Sequence, residues 1–392
     1  MDLTFDEADE RFRLEAREWL AAHVPTEPLP SLDTAEGFAA HRAWERELDA
    51  AGWSAVHWPT EYGGRGVSLL QWLLFEEEYY AAGAPGRVSQ NGLFLLGPTL
   101  LEHGTPEQRA RYLPGISSAE SIWAQAWSEP GAGSDLAAIR STATRVEGGW
   151  RLSGQKTWSS RAAFADQGFG LFRSEPGSTK HRGLTYFLFP LTAEGVSVRP
   201  IRQLDGETGF AEIFFDEVFV PDVDVLGGVG QGWSVAMATA ASERGMYLRS
   251  PGRFMATADR LVDLLDRVGP DAHPAAADAV AKAWIQADAY RLYTFASATT
   301  LAEGGDLGVS ASVNKVFWSE LDIAMHETAL ELLGPLGPLD AGAPAAVDGG
   351  RWLDGYLFSL AGPIYAGTNE IQRNVIAERL LGLPREPRGV TQ

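Results

Sequence analysis

The chain has no cysteine in its 392 residues, which excludes disulfides, thiolate metal ligands and cysteine nucleophiles together. Its seven histidines, His23, His41, His57, His103, His181, His273 and His326, are scattered. No pair stands at metal-ligand spacing, so no metal site is expected. Positive charge is scarce: 32 Lys and Arg stand against 52 Asp and Glu, a formal net charge of -20. That is the wrong sign for neutralising phosphates, and anionic lipid would repel it, so neither nucleic acid nor a membrane surface is an expected partner. No run approaches the roughly 20 apolar residues that cross a bilayer. The opening MDLTFDEADERFRLEAREWL is acidic and amphipathic. It has none of the basic and apolar blocks of a signal peptide, which points to the cytoplasm. No internal repeat is found.

What is present is apolar mass. Hydrophobic residues make up 45% of the chain, enough for a large core and two or three subdomains. From Phe5 to about Leu113 the pattern is helical, in EADERFRLEAREWLAAHV, AEGFAAHRAWERELDAAGW and SLLQWLLFEEEYYAAGAP, with apolar residues at steps of three and four. Residues 57–68 form a loop by their Pro and Gly content, and Thr105 caps a short helix whose first residue is Pro106. From about Ile122 to Val225 the period shortens. GWRLSGQKTWSS, QGFGLFRS, GLTYFLFPL, GVSVRPI and AEIFFDEVFVP are rich in β-branched and aromatic residues and separated by Gly, Pro and Asp, as antiparallel strands of a small barrel or sandwich are. Beyond GGVGQGW, helical periodicity returns in one stretch from Ser234 to Val268, a second near 275–303, a third near 310–334 and a last helix from Thr368. The expected architecture is mainly α with a central β domain: residues 1–118 helical, 119–228 β and 229–392 helical.

Four motifs stand in order along this frame: AWSEPGAGSDLA at residues 126–137, GQKTWSS at 154–160, ASVNK at 311–315 and IYAGTNEIQR at 364–373. On these the chain resembles the acyl-CoA dehydrogenase family over nearly its whole length. The resemblance implies an N-terminal helical domain, a middle β-barrel and a C-terminal four-helix bundle. It also implies FAD as cofactor, an acyl-CoA or acyl-carrier-protein thioester as substrate, an electron-transfer flavoprotein as acceptor, and a homo-oligomer, dimer or tetramer.

The chemistry so implied removes a proton from the α carbon of an acyl thioester while a hydride leaves the β carbon, so a base must face one side and a flavin the other. Donors preorganised on the thioester oxygen lower the barrier by several kcal/mol, of order 3 per donor. In the family, the position of Ala366 usually carries the catalytic glutamate, and its main-chain N–H is one donor to that oxygen. Alanine removes the base and keeps the donor. A minority of the family, the isovaleryl-CoA and long-chain types, places the glutamate on an earlier helix in a Glu-Arg pair, which Glu243 and Arg244 match. On a helix Glu243 shares a face with Ala236, Thr239 and Ala240, small residues that leave room for a ligand.

By the same resemblance, Trp127 and Ser128 contact the flavin ring, Trp158 flanks it, and Ser160 stands near the nitrogen that takes the hydride. Ser134 and Arg244 fall on the substrate side. Thr368 caps its helix and Glu370 meets the adenosine half of the cofactor. Apart from the resemblance, Arg249 and Arg253, one and a half to three turns beyond Glu243, are within reach of a substrate carboxylate, but exposure on the surface is the expected reading. Two family features are absent. The Arg-x-x-Phe-Gly stretch that grips the FAD of a neighbouring subunit is replaced by DRVGPDAHPAAADAV. Gln-x-x-Gly-Gly-x-Gly is replaced by ELLGPLG, with Glu331 and Pro335 in place of Gln and Gly. The missing Arg-x-x-Phe-Gly favours one alternative, a non-catalytic subunit of a heteromeric enzyme; a flavin oxidase or monooxygenase on the same scaffold is a further alternative that no residue specifically asks for.

Overall fold

The structure is a computed structural model. It describes residues 5–244, 249–269, 274–305 and 307–385, with the side chains of Ser242, Glu243, Arg244 and Pro274 outside the described residues. Five helices come first: α1 (Glu7–His23), α2 (Ala35–Ala50), α3 (Leu69–Ala81), α4 (Gly97–His103) and α5 (Pro106–Ser117). The strands follow as β1 (Trp123–Ala126), β2 (Thr142–Val146), β3 (Gly149–Ser160), β4 (Gln167–Arg173), β5 (Leu184–Pro190), β6 (Val196–Ile201), β7 (Phe210–Pro221) and β8 (Val225–Leu226). Six helices close the chain: α6 (Gly232–Arg244), α7 (Pro251–Val268), α8 (Pro274–Ala302), α9 (Ser310–Leu333), α10 (Arg351–Ser359) and α11 (Asn369–Val375). The order helical, β, helical is the one the periodicity predicts. The elements group into two compact units, one of residues 22–68 and 84–243, the other of residues 1–21, 69–83 and 244–392.

The first unit holds the sheet, in the order β6-β7-β3-β2-β4-β5-β8. Long β3 and β7 pair antiparallel, and β7 buries alternate residues Ala211, Ile213 and Phe215 in the sheet core with Trp150, Leu152 and Phe187. That is the period of two expected of a strand with one covered face. β4 and β5 are buried almost throughout, so both their faces are covered. One expectation fails: β1 runs parallel to β4, with Trp123 opposite Gln167. Only tight hairpins force antiparallel pairing, and the chain between β1 and β4 is long enough for a crossover. α5 is tied to the strand ends by Gln108 Nε2, which donates to the carbonyls of Val223 and Val225 at 2.9 and 2.8 Å. Thr105 and Gln108 close a capping box on α5, with Pro106 in the first turn, as its sequence predicts.

In the second unit α7 packs against α3, α8 and α9. Phe254, Leu261, Tyr290, Trp318, Met325 and Trp352 form its core. Gly252 allows the close approach of α7 to α3, since a Cβ there would lie 2.6 Å from the Glu76 carbonyl oxygen. Glu78 of α3 accepts from Arg13 Nε at 2.6 Å and from Arg17 Nε at 2.8 Å, fastening α1. The single stretch expected over Ser234 to Val268 is two helices. α7 restarts with Ser250 as cap, its Oγ accepting from the Gly252 N–H at 3.2 Å, and Pro251 at its first position. Proline supplies no N–H for continuing a helix but suits a first turn. Among the described residues no helix is long and apolar enough to cross a membrane.

Candidate active site

In the sheet unit, the loop after β1 and the end of β3 are locked together. The Thr157 N–H donates to the Ser128 carbonyl at 2.9 Å. Lys156, with no exposed surface, donates through Nζ to Glu129 Oε1 at 2.8 Å, to the Leu171 carbonyl at 2.7 Å and to the Trp127 carbonyl at 3.3 Å. Glu129 also accepts the Arg140 and Ser141 N–H groups at 2.6 and 2.9 Å. Burial pushes the Lys156 ammonium down to about 8, with Glu129 opposing. Burial pushes Glu129 up, but Lys156 and the Arg140 N–H outweigh it and hold the carboxylate below its usual range. A buried lysine with three acceptors and a buried carboxylate with three donors satisfy each other. The sequence reading did not single out either residue, although the Glu of WSEP and the Lys of QKTW lie inside the quoted motifs.

This clamp sets the neighbours. Trp127 is buried edge-on to Tyr186, ring centroids 6.3 Å apart. Its Nε1 and the Oγ of fully buried Ser159 have no hydrogen-bond partner among the described residues. Between Lys156 and Ser159 the β3–β7 register shifts, and there Trp158 takes φ 59° with 60% of its surface exposed. A left-handed conformation costs a bulky residue about 1–2 kcal/mol, and exposing an indole forgoes its burial. Both costs are sensible where a planar ring is to be flanked. Ser160 lies beside it in the ladder opposite Phe210. Ser134 is exposed, in a loop where a Cβ on Gly131 or Gly133 would meet nothing within 4 Å. The bulge, the exposed indole and the two buried polar atoms without partners fit a flavin ring.

The face of α6 that carries Ala236, Thr239 and Ala240 is not left open. All three are buried, and Thr239 bonds to Thr99 Oγ1 at 2.8 Å and to the Val235 carbonyl at 3.1 Å. Any room for a ligand lies beyond this packed segment. Glu243 and Arg244 occupy the last turn of α6, and their side chains lie outside the described residues.

In the helical unit, Ala366 has φ 57° and Gly367 φ 81°. Gln372 Nε2 donates to both carbonyls, at 3.4 and 3.3 Å, while no acceptor for the Ala366 N–H is found among the described residues. Thr368 caps α11 as predicted, its Oγ1 accepting from the Ile371 N–H at 3.2 Å. Asn369 anchors the turn from below. Its Oδ1 accepts from fully buried Lys315 at 2.7 Å and from Ser319 Oγ at 3.1 Å, which gives the ASVNK motif its local role. Glu370 is exposed, held low by its own backbone N–H and the Thr368 hydroxyl. Glu331 is exposed on α9. Arg249 and Arg253 are not surface residues: Arg249 is only 9% exposed and the Arg253 side chain 22%. The stretch DRVGPDAHPAAADAV falls partly outside the described residues.

The chain matches the family models for the N-terminal domain of acyl-CoA dehydrogenase over residues 6–120, the middle domain over 124–218 and the C-terminal domain over 230–381. It is 40% identical to acyl-CoA dehydrogenase IpdE1 of Mycolicibacterium smegmatis, over 97% of this chain and 99% of that protein. Among solved structures it is similar to the Tcur3481-Tcur3483 steroid ACAD, with TM-score 0.87 and 28% identity over 98% of this chain and 100% of that one. It is also similar to the ChsE4-ChsE5 complex from Mycobacterium tuberculosis, with TM-score 0.83 and 29% identity over 98% of this chain and 100% of that one.

Proposed function

The chain belongs to the acyl-CoA dehydrogenase family and is an enzyme of that class, and we propose that it is FAD-dependent and introduces an α,β double bond into an acyl thioester. The observation that carries the reading is the Ala366 N–H, free of any acceptor among the described residues in a turn whose carbonyls Gln372 clamps. An N–H fixed in advance by its turn stabilises charge on a thioester oxygen without reorganising when the proton leaves. Bound FAD would supply the acceptor for the hydride from the β carbon. Glu243 takes the α proton, because the position at Ala366 carries no basic side chain. Trp158 flanks the flavin ring, Trp127 and Ser128 meet its edge, and Ser160 offers a hydroxyl near the accepting nitrogen. Thr368 and Glu370 serve the rest of the cofactor, and Ser134 and Arg244 the substrate. Electrons pass on to an electron-transfer flavoprotein.

A second reading, in which the chain is one of two unlike chains of the working enzyme, is favoured by the paired names of the two similar structures and by the missing Arg-x-x-Phe-Gly. The likeness to a steroid ACAD makes steroid-derived acyl groups part of any substrate panel.

The test is an anaerobic titration of the purified protein with straight, branched, dicarboxylic and steroid-side-chain acyl-CoAs, following the flavin spectrum beside Glu243→Gln. One class should bleach the flavin in the wild type and not in the variant. Equal bleaching in both would remove Glu243 from the role of base. A colourless protein that will not hold FAD alone, and does so when mixed with a homologous chain, would favour the two-chain reading.

A further inference from the structure

The helical unit buries two cationic groups, Arg249 and Arg253, around the Phe358 ring, with Arg249 also over the ring of Tyr365, the residue before Ala366. Arg253 stands in the first turn of α7. Its Nη2 donates to Asp322 at 2.8 Å, while Nη1, shielded from solvent, finds no acceptor among the described residues. The guanidinium of Arg249 lies 4.9 Å from the Tyr365 ring centroid, 5.4 Å from that of Trp318 and 5.9 Å from that of Phe358. Arg253 approaches the same Phe358 ring at 5.4 Å. The two arginines therefore share one aromatic wall. Tyr365, which immediately precedes Ala366, stacks on Trp318 at 5.9 Å, and its hydroxyl is buried with no partner among the described residues. Asp322, 1% exposed, is the carboxylate that pairs with Arg253.

A buried guanidinium N–H or phenol without a partner is destabilising, and two such groups beside one turn are hard to justify as packing. An arginine presents its donors as a rigid fork suited to a planar, two-oxygen anion, and aromatic walls exclude the water that would screen the pair.

We propose that Arg253 Nη1 and the Tyr365 hydroxyl, with Arg249 behind them, receive a carboxylate on the acyl group, so that the substrate is the mono-thioester of a dicarboxylic acid. This rests on the dehydrogenase reading for where the acyl group lies. Because Tyr365 and Ala366 are consecutive, the carboxylate is held close to the thioester carbonyl, which suits a short or folded acyl group. The phosphates of the CoA moiety are the other source of an anion at such a site.

The test measures equilibrium binding, by calorimetry on the holoprotein, of three ligands: an acyl-CoA analogue with sulfur at the β position and a free terminal carboxylate, its methyl ester, and CoA alone. The β sulfur prevents dehydrogenation, so binding is read without turnover. The wild type should prefer carboxylate to ester by about 30-fold or more, as 2 kcal/mol implies. Arg253→Gln should reduce that preference to within about threefold, Tyr365→Phe should reduce it partly, and CoA alone should bind all three proteins equally. Wild-type binding of the ester as tight as that of the acid overturns the proposal even if no variant folds. So does loss of affinity for CoA alone in Arg253→Gln, which would assign the arginine to a phosphate. Flavin bleaching by uncharged acyl-CoAs would leave the dehydrogenase reading intact while this proposal failed. Tight, Arg253-dependent binding of the acid with no bleaching by any thioester would do the reverse.

Discussion

Lys156→Met tests whether the buried pair holds the WSEP and QKTW motifs together. The substitution keeps much of the stem volume and removes the ammonium. Glu129 then keeps the Arg140 and Ser141 N–H groups as donors but loses its countercharge, and the carbonyls of Leu171 and Trp127 lose their shared donor. Removing one partner of a buried ion pair costs about 3–5 kcal/mol, because the other is left charged and uncompensated. With Lys156 fully enclosed and Glu129 8% exposed, the upper half of that range is expected. Glu129→Gln should cost less, about 2–3 kcal/mol, since a carboxamide oxygen still accepts an N–H. In the double variant no charge is left buried, so the two losses should overlap by at least about 2 kcal/mol in a double-mutant cycle. The assay is denaturant unfolding of the sheet unit followed by tryptophan fluorescence, with FAD retained on gel filtration as a second readout. Lys156→Met should release flavin before it unfolds the protein, because Ser128 and Thr157 are bonded across the same junction. A Lys156→Met cost below about 1 kcal/mol, or strictly additive single losses, would refute the clamp.

Trp158→Gly should relieve the left-handed strain, about 1 kcal/mol, and stabilise the apoprotein slightly. The same change should weaken FAD binding at least tenfold by fluorescence titration, and unchanged affinity would place the flavin ring elsewhere. Ala366→Gly should leave flavin bleaching within about threefold of wild type, since the N–H remains, whereas Ala366→Val should lower apparent melting, because a β-branched residue fits φ 57° poorly. His57 is held down to about 3 by burial, with Arg87 adding to the effect. The unfolded chain therefore takes up this proton near 6.5 while the folded one does not, and stability is lost as pH falls from about 6.5 toward 3, by on the order of 4 kcal/mol at the acid end. His57→Gln should flatten that limb of the stability profile, and an unaltered slope would show that other groups govern it.

Local patterning was legible because it is a property of neighbours in the chain. The strand GWRLSGQKTWSS is found as β3 over Gly149–Ser160, since alternation and β-branched or aromatic side chains act within a few residues. The caps at Thr105 and Thr368 were equally readable, a hydroxyl needing only an N–H three positions on. The short β1, β2 and β8 and the seven-residue α4 were not, because too few residues carry the period. The break before α7 was written in Ser250 and Pro251 but masked by apolar spacing that continues across it.

The sequence by itself determined the types and order of the longer elements, the family motifs and the absence of a basic side chain at Ala366. Only tertiary structure decided the rest. It paired β1 with β4 in parallel, turned Trp158 outward at a bulge, enclosed Lys156 with Glu129 and filled the face of α6 at Thr239. It also carried Arg249 and Arg253 from an expected surface into an aromatic wall beside Tyr365. The physical reason is common to all of these. Burial and countercharge are supplied by segments distant in the chain, such as Asp322 for Arg253, 69 residues away, and no local period encodes which distant segment arrives.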